Sequence, residues 1–89
     1  MPPQAREVID ASLRYFPDHP LEVEFRGRYC HVGHAGEPLC RLAYTGGPAK
    51  WDLAVYRYSS ASYRPLELAP ARDIAEKCIR TALGAYNPL

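Results

Sequence analysis

A chain of 89 residues makes one domain, 1–89, long enough to bury a modest core without a metal or disulfide staple. Eleven Lys and Arg against ten Asp and Glu leave a formal charge of +1, which excludes the strongly basic profile of a general polyanion binder. No apolar run approaches the roughly 20 residues of a membrane span, so no membrane partner is expected.

Behind a tail that carries Pro2 and Pro3, the spacing predicts a helix from about Ala5 to Phe16. Val8, Ile9, Ser12, Leu13 and Phe16 share one stripe, and Arg6, Glu7, Asp10 and Arg14 take the other side. Pro17 and Pro20 end it, because proline lacks the amide donor and restrains the residue before it.

The period then changes to two. Leu21, Val23 and Phe25 alternate with Glu22, Glu24 and Arg26 until Gly27 interrupts. With Arg26-Gly27 as a two-residue hairpin turn, Phe25 faces Arg28, Val23 faces Cys30 and Leu21 faces Val32. A single long strand bulged at Gly27 is the alternative. Gly33 to Pro38 reads as the next loop.

The strongest β signal runs from Leu39 to Ser60. Thr45-Gly46-Gly47-Pro48-Ala49-Lys50 suits a turn, and pairing Tyr44 with Trp51 places Leu42 opposite Leu53 and Cys40 opposite Val55. Those six residues share one face, as a core-facing sheet requires. The other face carries Leu39, Arg41, Ala43, Asp52, Ala54, Tyr56 and Tyr58.

Ala61 to Ala69 is too irregular for an element. Pro70 suits the first position of a last helix whose stripe is Ala71, Ile74, Ala75, Cys78, Ile79, Ala82, Leu83 and Tyr86. Arg72 with Glu76, Asp73 with Lys77 and Glu76 with Arg80 are opposite charges four apart on its outer side. The expected fold is therefore α+β in two layers. An antiparallel meander of three to four strands has the N-terminal and C-terminal helices packed on one face.

Few residues are placed for chemistry. Cys30, His31, His34 and Cys40 are metal-ligand types, but Cys30 and His31 are adjacent in a strand and point to opposite faces. Cys30, Cys40 and Cys78 all fall on the core side, where a thiol acts as a small hydrophobe rather than a nucleophile. With no CxxC and no secretory signal, they point to a reducing, cytoplasmic setting. Neither Thr45-Gly46-Gly47 nor Gly33 to Gly36 has the frame of a phosphate loop. No cofactor is expected. Glu22 and Glu24 share a face with His31, Tyr56 and Tyr58, so Glu22, His31 and Tyr56 are the acid-base set a small enzyme would use. A plain cross-strand pair of Glu22 with His31 explains the same residues.

Two resemblances bear on function. The order helix, strands, helix resembles the double-stranded RNA-binding domain, and Ala71-Arg72-Asp73-Ile74-Ala75-Glu76-Lys77-Cys78 is similar to its alanine-rich last helix. That family implies a basic cluster at the helix start, where this chain places Asp73 and Glu76 among Arg72 and Lys77. Secondly, Arg41-Leu42-Ala43-Tyr44-Thr45-Gly46, followed by Trp51, Ala54, Tyr56, Tyr58-Ser59 and Tyr63, resembles small bacterial proteins of unknown function. It implies a bacterial origin and leaves the activity open.

The leading expectation is a non-enzymatic interaction or accessory domain, with a homodimer as one form of it. Its candidate surface is Tyr29, Leu39, Arg41, Ala54, Tyr56 and Tyr58, because tyrosine and arginine are favoured at interfaces and folding does not explain them on that face. Tyr29, Tyr56 and Tyr58 beside Arg41 would also serve a single nucleic-acid strand, which Glu22 and Glu24 oppose.

Overall fold

A computed structural model describes residues 1–47, 49–65 and 72–85. Helix α1 (Pro3–Leu13) leads into β1 (Leu21–Arg26), β2 (Tyr29–His34), β3 (Glu37–Tyr44) and β4 (Trp51–Arg57). The short β5 (Ser62–Arg64) and β6 (Arg72–Asp73) precede helix α2 (Ala75–Ala85). All pairings are antiparallel in the order β1-β2-β3-β4-β5, and β6 shares the outer side of β4 with β5. The two-layer α+β expectation holds, with more strands than the three to four expected.

The helices lie on one face because the alternation of the strands leaves only one apolar layer. Cys30, Val32, Cys40, Leu42, Trp51, Leu53 and Val55 form one buried cluster with Ala5 and Ile9 of α1 and Ala75, Cys78, Ile79 and Ala82 of α2. Each large apolar side chain removed from water contributes roughly 1.5 to 3 kcal/mol before chain entropy is set against it. Helix α1 ends at Leu13, earlier than expected. Successive i to i+3 bonds into Arg14, Tyr15 and Phe16 tighten the chain there, and Phe16 still reaches the core. Ser12, buried on the apolar stripe, donates its hydroxyl to the Val8 carbonyl at 2.7 Å.

The central hairpin has the expected register, with Tyr44 opposite Trp51, Leu42 opposite Leu53 and Cys40 opposite Val55. In the first hairpin the turn is Gly27-Arg28, not Arg26-Gly27, so Phe25 faces Cys30 and Val23 faces Val32. Gly27 takes a φ of +57° as the first turn residue, a conformation that suits a side chain without Cβ. The register moves by two residues, so every side chain keeps its expected face. Glu24, and not Glu22, therefore stands opposite His31.

Three further expectations are corrected. Leu39 belongs to the core and is 1% exposed. The β2–β3 pairing steps from Val32 with Cys40 to Gly33 with Pro38, which leaves Leu39 as the extra residue of a bulge and turns it inward beside Cys40. Helix α2 begins at Ala75, because Arg72 and Asp73 pair with Asp52 and Trp51 as β6, and Ile74 ends up 40% exposed. Of the expected helix ion pairs only Glu76 with Arg80 forms, at 3.5 Å; Arg72 pairs with Asp52 and Asp73 with Lys50 instead. Finally, Ser62–Arg64 is a strand within the stretch expected to be irregular. Pro70, Ala71 and Tyr86 lie outside the described residues.

Candidate functional site

Side chains that alternate away from the core share the opposite face of the sheet. From β2 come Tyr29 and His31, from β3 Arg41 and Ala43, from β4 Asp52, Ala54 and Tyr56, and from β5 Tyr63. Ala43 stands opposite Tyr29 and Ala54 opposite Arg41, so small side chains alternate with large ones and leave the large ones room to lean.

The result is a continuous belt. Arg41 lays its guanidinium over Tyr29, with Cζ 4.6 Å from the ring centre, and also reaches Tyr63 at 5.2 Å. Arg28, from the first hairpin turn, rests on Tyr29 at 5.3 Å. Tyr63 meets Tyr56 at 5.1 Å and His31 at 5.4 Å, both edge to face, and Tyr56 meets Tyr58 edge to face at 4.9 Å. Quadrupoles favour those tilted arrangements over flat stacking. Tyr58 is 52% exposed at the end of the belt and donates its hydroxyl to the Pro38 carbonyl at 2.8 Å.

His31 and Tyr63 are coupled. The His31 Nδ1 lies 3.3 Å from the Tyr63 hydroxyl. Burial pushes the His31 pKa down, and the charges of Arg26 and Arg41 add to that. Burial likewise pushes the Tyr63 phenol up. A neutral imidazole accepting from an intact phenol satisfies both groups.

The acid-base set expected from the sequence is not assembled. Glu22 stands opposite Gly33 and folds across it, so that its carboxylate accepts the Gly36 N–H at 2.7 Å. A Cβ on Gly33 would sit 3.1 Å from Glu22 Cγ, so the glycine makes that path possible. Glu24 faces His31, but its carboxylate takes Arg26 at 2.9 Å. Glu22, Glu24 and His31 do line an open hollow of about 410 Å3, yet its tyrosine is Tyr63 and not Tyr56.

Of the expected surface residues, Tyr29, Arg41, Ala54, Tyr56 and Tyr58 lie on this face, and Leu39 is the exception. Tyr63 and Arg28 are the members that sequence reasoning missed. The signal for Tyr63 was the repeat Tyr56, Tyr58 and then Ser59-Ser60-Ala61-Ser62, a small polar run able to turn; Ala61 takes a φ of +50° there.

The potential metal ligands do not converge. Cys30 and Cys40 are buried on the core side and His31 is on the other face; among the described residues no group of three or more His, Cys, Asp or Glu could hold an ion. His34 instead meets His19, with ring nitrogens 3.2 Å apart, at the far end of β2. Among the described residues no helix is long and apolar enough to cross a membrane.

No protein-family model, curated protein or solved structure matches the chain.

Proposed function

We propose that this domain is a binding module that engages a partner protein through the tyrosine-rich face of its sheet. The observation that carries this reading is the belt of Tyr29, Arg41, Tyr63, Tyr56 and Tyr58, which crosses four strands on the side away from both helices and stabilises no core. Aromatic side chains bring large contact area at small entropic cost, and arginine and tyrosine dominate the energetics of protein interfaces. The hollow beside the belt is open, and its Glu22 is hydrogen-bonded elsewhere, which favours binding over catalysis.

A duplex-RNA reading is less well supported. It needs a cluster of unengaged cations at the start of α2, where Arg72 is bidentate on Asp52 at 2.7 and 3.1 Å and Lys77 alone, among the described residues there, has no ion pair. Three unpaired buried thiols suit a reducing compartment, and we place the module in the cytoplasm, of a bacterial cell if the sequence resemblance holds.

A benzophenone photocrosslinker replacing Tyr56, with one replacing Lys77 on the exposed side of α2 as control, tests the reading in the native cell. Adducts should arise from position 56 and not from position 77, and one of twice the chain mass would identify a second copy as the partner. Equal yields from both positions, or none from position 56, would overturn it.

A further inference from the structure

We infer that the partner's contact on this face is an acidic protein segment, with one of its carboxylates seated against the guanidinium group of Arg41. This rests on the reading of the face as a binding surface and adds the chemistry of what binds.

The argument begins with charge. Glu22, Glu24 and Asp52 are the carboxylates that project from this face of β1 and β4, and each is already engaged. Gly36 N–H holds Glu22 at 2.7 Å, Arg26 holds Glu24 at 2.9 Å and Arg72 holds Asp52 at 2.7 Å. Those contacts also occupy Arg26 and Arg72. Among the described residues, no carboxylate lies within ion-pair distance of Arg41, whereas Arg28 already lies within electrostatic reach of Asp52.

Arg41 is nonetheless held in place. Arg41 is half-buried against Tyr29 and Tyr63, at 4.6 and 5.2 Å, and Arg28 lies 5.3 Å from the Tyr29 ring centre. A guanidinium packed on aromatic rings keeps its N–H donors in its own plane, where they suit bidentate contact with a planar acid. Because the stack already restrains the side chain, binding an anion there loses less rotamer freedom than at a mobile surface arginine. The missing component is the acid, and it has to come from outside.

Other occupants fit less well. A single nucleic-acid strand needs exposed ring faces in series. Here arginine covers Tyr29 and Tyr63, while Tyr56 meets both its tyrosine neighbours edge to face. A second copy stacked on this face would offer from it Glu22, Glu24 and Asp52, each already engaged. An acidic peptide needs neither a stacking row nor the long-range attraction that a chain of charge +1 lacks.

The test titrates the 15N-labelled chain with octaglutamate, octaglutamine and an eight-nucleotide oligothymidylate. Octaglutamate should move the Arg41 Nε–H resonance and the amides of Tyr29, His31 and Tyr63, with octaglutamine leaving them in place. Arg41→Gln should weaken the interaction about tenfold or more, because a charge-assisted bond is lost. Arg41→Lys, which keeps the charge but neither the stack nor the fork, should fall between; the dispersion of each variant's spectrum reports that it is folded. The inference is overturned if octaglutamate leaves Arg41 unmoved, if octaglutamine gives the same shifts, if Arg41→Gln binds as well as the parent, or if the oligothymidylate binds more tightly. Crosslinking from position 56 without an octaglutamate response at Arg41 would remove the acidic partner and leave the binding face standing; failure of both removes both.

Discussion

His31 stands where three influences on a titratable group act in one direction. Its pKa is lowered by burial first, and then by Arg26 and Arg41, with Glu24 opposing. The unfolded chain takes up this proton near the ordinary value of 6.5, and the folded chain resists it. His31 therefore costs no stability above that pH, and the fold loses stability as pH falls below it toward the depressed folded pKa. Denaturant titrations of the parent and of His31→Asn between pH 5 and 8 should show the parent losing stability on acidification and the variant losing less. Much of the site was legible at this scale, because alternation alone assigns Tyr29, Arg41, Ala54 and Tyr56 to one side. Leu39 was not, since a bulge adds a residue without leaving a mark in the hydrophobic pattern. Nor was Tyr63, whose flanking serines look like loop.

Among the elements, the turns carry the clearest departures from comfortable backbone geometry. The β2–β3 hairpin closes on Ala35-Gly36, both with positive φ, +52° and +84°. Glycine tolerates that region, whereas an alanine Cβ crowds the carbonyl there at a cost of about 1 to 2 kcal/mol. Asparagine followed by glycine is the pair such a turn prefers. Ala35→Asn should therefore stabilise the fold by about 0.5 to 1 kcal/mol, within the few degrees per kcal/mol expected in thermal melting of a domain this size. The same chemistry explains why the first hairpin was legible in its faces but not in its turn: positive φ at Gly27 fixes that residue as first in the turn. For α2, the helical stripe runs on toward Ala71 in the sequence, but a bidentate ion pair and two backbone partners on β4 draw Arg72 and Asp73 into the sheet. Periodicity cannot weigh those long-range contacts.

Over the whole molecule, the core includes three thiols. Burial raises all three, Cys30 to about 12 and Cys78 to about 11, with Cys40 also well above its ordinary value. The sign is opposite to that of His31: the unfolded chain ionises near 9.0 and the folded chain holds its protons. Stability is therefore fully present below about pH 9 and declines as pH rises beyond it. Melting temperature followed from pH 7 to 10.5 should fall above pH 9, and a thiol reagent should react only as the fold opens. The two-layer plan was legible because each layer has its own period. The final strand count was not, because β5 and β6 are three and two residues long.

The way β4 is flanked also bears on edge-to-edge strand addition. Its outer side is divided between β5 and β6, so this margin of the sheet ends in stubs too short to template an added strand. The other margin is β1, where Glu22, Glu24 and Arg26 are exposed and would carry charge into any edge-to-edge ribbon. With both margins unfavourable for strand addition, the binding we propose falls to the broad tyrosine surface, where contact would be made by side chains.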